Sequence, residues 1–413
     1  YYETHLRGIK GRQLYLRDNA GRLKERYVGG ANDVEAKIGE VLPISLDVLI
    51  QEYGEKLMAG KTGSIVAIEP SSGEILAMVT SPGYKPEMFS MKNLSKNYNA
   101  LLRDKSKPLI NRAVNSNYPP GSTFKVFMAL IGLQEGVITP NTRFRCNGGF
   151  HLGSLTVRCH GHAPSPNVGY SIQTSCNAFY CNLYREILHQ DRFENIEDGY
   201  NNWKSYLDRM GLGQKLGTDI SAEKPGNVPK AEHFHRIHGK NRWNYARIIS
   251  MSIGQGELLL SPLQMANMAA MVANRGYYYT PHFIKGDSVP AMFKEKHELG
   301  IEQKHFDVVV DGMNKVMLQG TGAYVKIPGI DICGKTGTAQ NPHGENHSLF
   351  IAFAPKDNPK IAIATVVENA GYGATWAAPM CTLMIEKYLN RDTVSQRPFL
   401  EEKMFNTEIK IVK

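Results

Sequence analysis

The sequence predicts an α+β fold, one five-stranded antiparallel sheet covered by helices, with its strands drawn from two distant parts of the chain. Three observations predict it. Strand-like runs gather between residues 64–80 and again between 330–367. The long stretch between them carries mostly helix signals. Of the 413 residues, 42% are hydrophobic and 21% charged, which suits a large packed core and excludes wholesale disorder or a fibre.

Residues 1–41 are polar, basic and glycine-punctuated, with short alternating pieces such as Gln13–Leu16. They read as the edge of a neighbouring module, and residues 42–413 as one large domain. From Ile44 to Met58, the residues Leu46, Val48, Leu49, Ile50 and Leu57 recur with the period of an amphipathic helix. Ser64–Ile68 and Ile75–Thr80 follow as strands, joined by a turn at Pro70-Ser71-Ser72-Gly73. The apolar run after Lys125 reads as a buried helix. Ser261-Pro262-Leu263-Gln264 combines an N-cap serine, a proline at the first helical position and a glutamine three residues on, so a helix runs from there to Asn274. A further helix covers about His305 to Leu318 and stops at Gly320 and Gly322. Ile330–Gln340, Ser348–Ala354 and Lys360–Val367 supply the remaining strands, and Ala374–Leu389 a closing helix.

The formal charge is +9, from 48 basic and 39 acidic residues. That excess suits an anionic partner in general, but no recognition motif accompanies it, so nucleic acid is excluded. Apolar runs such as Val126–Leu130 fall far short of the ~18–20 residues of a membrane span. No signal peptide is visible and Tyr1 is not an initiator methionine, so the chain reads as trimmed. His233, His235 and His238, beside Lys230, Arg236 and Lys240, read as an exposed basic loop.

The chemistry concentrates in three short segments. In Tyr118-Pro119-Pro120-Gly121-Ser122-Thr123-Phe124-Lys125, two prolines lead into a helix and glycine permits an abrupt turn. Ser122 and Lys125, three apart, share a helical face. A serine hydroxyl needs a base within reach, and a lysine serves only when burial or a positive neighbour lowers its pKa. Ser175-Cys176-Asn177 adds a hydroxyl and an amide two residues apart. Lys335-Thr336-Gly337-Thr338 lies on a predicted strand, where Gly337 lets a substrate approach the backbone. Each has an ordinary alternative: a capping serine with a solvated lysine, a helix cap at Ser175, a glycine bulge at Gly337. The three in this order form the penicillin-recognising serine set.

With these motifs the chain resembles the class B penicillin-binding proteins, and most of all their elongation type. Gly73–Val79, Ser252-Ile253-Gly254-Gln255-Gly256, Gly320-Thr321-Gly322, Gly334–Gln340 and the opening Tyr2-Glu3…Leu6-Arg7-Gly8 are similar to signposts of that family. The middle motif has Cys176 where many relatives carry another residue. The resemblance implies a serine β-lactamase-like transpeptidase fold and a D,D-transpeptidase that cross-links peptidoglycan stem peptides on nascent glycan. In it Ser122 is the nucleophile and Lys125 its base. Ser175 passes a proton to the leaving group, with Lys335 beside it, and Asn177 holds the substrate amide. Lys335, Thr336 and Thr338 bind the terminal carboxylate along the Gly337 edge, and the N–H groups of Ser122 and Thr338 form the oxyanion hole. It also implies β-lactams as covalent inhibitors, no cofactor for catalysis, a membrane-embedded glycan polymerase as partner, and a periplasmic site behind an N-terminal anchor. A carboxypeptidase or β-lactamase-type hydrolase, a division-type transpeptidase and a penicillin sensor are the alternatives.

Four of the six cysteines fall between residues 146 and 181. Crowding of this kind means either a disulfide or tetrahedral zinc, and the intervals match no standard finger spacing. The resemblance implies a structural zinc on Cys146, Cys159, His162 and Cys176, with His160 a close substitute for His162; a Cys146–Cys159 disulfide and unlinked thiols are the alternatives. Cys181, Cys333 and Cys381 read as core residues.

Overall fold

The computed structural model describes residues 2–90, 93–240, 242–391 and 395–409. The predicted strands are all present: β1 (Gly63–Ile68), β2 (Ile75–Ser81), β3 (Cys333–Ala339), β4 (His347–Ala354) and β5 (Ile361–Val367). They lie side by side in the order β2-β1-β5-β4-β3, each pair antiparallel. The two distant parts of the chain therefore meet where β1 pairs with β5, Ile65 opposite Thr365. Every residue of β5, and every residue of β4 after His347, is buried. Both faces of the sheet are thus covered, which explains continuous apolar runs in place of a polar alternation.

The helices that frame the site are α1 (Val48–Met58), α2 (Lys125–Gln134), α3 (Val168–Thr174), α4 (Asn177–Leu188), α5 (Pro262–Ala273), α6 (Gln303–Gln319) and α7 (Ala377–Asn390). Helix α5 opens with the predicted capping box, Ser261 Oγ accepting from Gln264 N and Gln264 Oε1 from Ser261 N. All of it is buried, against β1, β4 and β5. Helix α7 covers β4 and β5, α1 covers β2, and α6 lies against β3 and α3.

Two readings need correction. Helix α1 starts at Val48, not Ile44, because the Asp47 carboxylate accepts from Leu49 N and Ile50 N and fixes the start there. The preceding residues are extended, with Ser45 N–H donating to Phe283 O. The histidine cluster is a helix, Ala231–His238, not an exposed loop. Phe234 anchors it against Tyr200 and Trp243, and His235 Nε2 meets Glu197 Oε2 at 3.0 Å.

Residues 2–41 form a two-stranded hairpin, Tyr15–Arg17 with Leu23–Arg26, and two isolated bridges. No described residue before Ser45 is buried, so this segment has no core of its own; a bond from the Tyr2 hydroxyl to the Asp219 carboxylate ties it to the rest. Cys181, Cys333 and Cys381 are core residues, as predicted. Among the described residues no helix is long and apolar enough to cross a membrane.

Candidate active site

Gly121 turns the chain after the two prolines with φ +56°, and a Cβ there would stand 2.6 Å from the Thr338 carbonyl oxygen. Only glycine fits this turn. One turn of 3-10 helix, Gly121–Phe124, then carries Ser122 and runs into α2, whose first residue is Lys125. Side chains three apart eclipse in a 3-10 turn, so Ser122 and Lys125 share a side. Ser175 sits at a second junction: α3 ends on it in the left-handed conformation (φ +58°), and Cys176 caps α4 by accepting from Phe179 N. Asn177 is the first residue of α4. Lys335–Thr338 lies in β3, one of the two edge strands of the sheet, with the 3-10 turn packed on it.

These segments converge on a cavity of about 330 Å³ lined by Ser122, Ser175, Thr336, Gly337 and Thr338. Lys125 is wholly buried beside it. Its Nζ donates to Ser175 O at 2.7 Å, Ser175 Oγ at 3.1 Å and Asn177 Oδ1 at 2.5 Å. Burial lowers its pKa to about 8. Lys335 is equally buried and donates to Thr336 O at 3.1 Å. Burial first, then the charge of Lys125, push it well below the ordinary lysine range. Thr336 and Thr321 hydroxyls lie 2.7 Å apart, and Thr338 Oγ1 accepts from Gly373 N at 3.4 Å.

The bonds of Lys125 thus run to the middle motif, and among the described residues the Ser122 hydroxyl makes no hydrogen bond. Asn177 Nδ2 donates to Arg158 O at 2.6 Å, which leaves one of its two amide hydrogens for a ligand. Sequence reasoning missed Tyr372, which lines the cavity with His160. The available signal was its glycines: a Cβ on Gly373 would strike Gly337 O at 2.2 Å. A larger hollow, about 700 Å³, lies between the N-terminal segment and β2, lined by Leu6, Leu42, Met78 and Pro108 among others. No described serine or lysine lines it, so the chemistry belongs to the smaller cavity.

The four predicted metal ligands also come together. One ligand atom from each of Cys146, Cys159, His162 and Cys176 lies within 4.8 Å of all the others. The Cys159–Cys176 sulfur separation is 3.9 Å, close to the ~3.8 Å edge of a tetrahedron with ~2.3 Å metal–sulfur bonds. His162 Nδ1 bonds to Ala163 O at 2.8 Å, while its buried Nε2 has no hydrogen-bond partner among the described residues. All six cysteines are unlinked. The cluster abuts the site directly, since Cys176 lies between Ser175 and Asn177.

Residues 63–385 match the family model described as the penicillin binding protein transpeptidase domain. The chain is 32% identical over 402 residues to a peptidoglycan D,D-transpeptidase, MrdA, of Acinetobacter baumannii, covering 91% of this chain and 57% of that protein. It spans about three-fifths of the length of the curated relatives it matches. Its fold is similar to the crystal structure of Pseudomonas aeruginosa PBP2 in complex with WCK 5153 (TM-score 0.78, 32% identity, 86% of this chain and 77% of that one). It is similar also to a chain in a structure described as the coordination of polymerization and crosslinking by a peptidoglycan synthase complex (TM-score 0.78, 27% identity, 96% and 70%). The chain belongs to the penicillin-binding protein transpeptidase family. Within it, the chain stands among the class B proteins of the elongation type.

Proposed function

We propose that this chain carries the transpeptidase activity that cross-links peptidoglycan stem peptides during cell elongation, through an acyl-enzyme on Ser122. The observation that carries the reading is the wholly buried Lys125 amine, brought to about 8 by desolvation and bonded to Ser175 beside the cavity that Ser122 lines. A neutral amine there can take the serine proton as Ser122 Oγ attacks the carbonyl of the penultimate D-alanine. The oxyanion falls to the N–H groups of Ser122, in the unsatisfied first turn of a helix, and of Thr338. As the C–N bond breaks, the proton held on Lys125 returns through Ser175 to the departing D-alanine amine. A stem-peptide amine from a second strand then attacks the ester, its proton passing by way of Lys125 to Ser122 Oγ as the ester C–O bond breaks. Lys335, Thr336 and Thr338 take the substrate carboxylate, whose charge favours the ammonium form of Lys335. Asn177 offers its remaining amide hydrogen to the stem peptide.

Three thiolates and an imidazole with a free Nε2 suit zinc, which would act as a structural tie. Cys146, Cys159 and His162 would then hold their loop to the junction that aims Ser175 and Asn177. Residues 2–41 fit the edge of a pedestal module. The substrate lies outside the cytoplasm, so the domain works on the periplasmic face, tethered by a helix ahead of it and paired with a membrane-embedded glycan polymerase. The synthase-complex relative supports that pairing.

The test is intact mass after exposure to a penicillin, with peptide mapping. One adduct on Ser122, absent from Ser122→Ala with its fold intact, supports the reading. Normal labelling of Ser122→Ala removes it, and rapid turnover of the adduct assigns the domain to the hydrolases.

A further inference from the structure

The turn Ile249–Gly256 touches all three motif-bearing segments. Ser252 Oγ lies 3.5 Å from Cys181 Sγ on α4. Gly254 O accepts from Gly121 N at 2.8 Å, one residue before the nucleophile. Gly254 has φ +72°, and a Cβ on it would come within 2.2 Å of Gly121 O, so the two backbones are in direct contact. Gln255, almost wholly buried, reaches the third segment: its Nε2 donates to Thr338 O at 2.8 Å, and its Oε1 accepts from Gln340 N at 3.4 Å.

The first bond falls on the outer edge of β3 and the second one residue past its end. In an extended strand the N–H and C=O of one residue leave on the same side, and in an antiparallel ladder such sides alternate between paired and unpaired residues. Thr338 turns its carbonyl to Gln255 and away from β4, so its N–H faces the cleft as well. The Gln255 carboxamide binds β3 as one residue of a neighbouring strand would, donating to residue 338 and accepting from residue 340. Upstream, Thr336 O is taken by Lys335 Nζ. Between these two anchored points the Thr338 N–H is directed into the cavity.

We propose that Gln255 is a positioning residue for the oxyanion hole: its carboxamide, on a turn anchored to Gly121, sets the distance and angle between the Ser122 and Thr338 N–H groups. The inference rests on the proposed acyl-enzyme reading. Such donors act by preorganisation, and a misplacement of about 1 Å is enough to cost on the order of 100-fold. Gln255 touches neither substrate nor reacting atom; it acts through Thr338.

The experiment compares wild type, Gln255→Ala, Gln255→Glu and Ser122→Ala. Glutamate keeps the acceptor for Gln340 N but loses the donor to Thr338 O. Acylation by a fluorescent penicillin is resolved into the non-covalent dissociation constant and the acylation rate. Affinity for a boronic acid, whose tetrahedral adduct on serine presents an oxygen to the hole, is measured in parallel. The expected result is a fall in acylation rate and in boronate affinity, each on the order of 10- to 100-fold, in both Gln255 variants. Non-covalent penicillin binding and melting temperature should stay near wild type. Unchanged acylation and boronate affinity in both variants overturn the proposal, as does a loss explained by lowered melting temperature, or full activity of Gln255→Glu. Labelling of Ser122→Ala would overturn the underlying reading instead, so the two failures are told apart.

Discussion

The pH dependence of acylation tests the base directly. Lys125 is wholly buried, and desolvation moves its pKa from 10.5 to about 8. At about pH 7 an ordinary lysine is only ~0.03% neutral, whereas one at about 8 is ~9% neutral, a gain of roughly 300-fold in competent enzyme. If the neutral amine accepts the Ser122 proton, the acylation rate should rise about ninefold from pH ~6 to ~7 and less than about twofold from pH ~8 to ~9. Stopped-flow measurement with a fluorescent penicillin gives the profile. A rate still climbing about tenfold per unit through pH ~9 would mean an unshifted amine, and a flat profile would mean another base. Lys125→Arg, which stays charged at every accessible pH, should lose both the rate and its pH dependence. The same shift bears on stability. The folded pKa lies below the unfolded one, so between about 8 and 10.5 the unfolded chain binds more protons and stability rises with pH. Below about 8 both states are protonated, and the cost of the buried charge, on the order of 3 kcal/mol, is borne in full.

Two further outcomes are expected. Protein purified without a histidine tag should carry close to one zinc per chain, and Cys159→Ser should lower both metal content and melting temperature; below ~0.2 zinc per chain the metal proposal fails. Gly121→Ala places a Cβ against the Thr338 carbonyl at positive φ, so it should destabilise by roughly 2–4 kcal/mol in denaturant unfolding and abolish labelling, whereas a neutral effect would contradict the described turn.

The strands were legible because β1, β4 and β5 are mostly apolar runs, broken only by Ser64, His347-Ser348 and Thr365, and α5 because Ser261 and Gln264 spell out its cap. Strand order was not legible, since pairing β1 with β5 is a long-range choice that no local pattern encodes. Ile44–Leu46 looked helical because its apolar spacing fitted; the Asp47 cap, a polar residue inside that run, was the overlooked stop. The Ala231–His238 helix was lost because it buries only Ala231 and Phe234, too short a stripe to show a period. The three motifs could be read from residue types alone. Their joining could not: the Lys125–Ser175 contact depends on a left-handed serine between two helices, where a non-glycine residue is unexpected. Gln255 was marked in the sequence only as part of the Ser252–Gly256 signpost, with no role attached, and its bonds to β3 are visible only in three dimensions.

The β1–β5 pairing also fixes when the reactive centre can exist during synthesis. Ser122, Ser175 and Lys335 all leave the ribosome before Ile361–Val367, yet that late strand lies between the early hairpin and the β4–β3 pair. A nascent chain ending short of it would hold every reactive side chain and no frame to orient them. The sheet that orients the site therefore closes only once this late strand has been made.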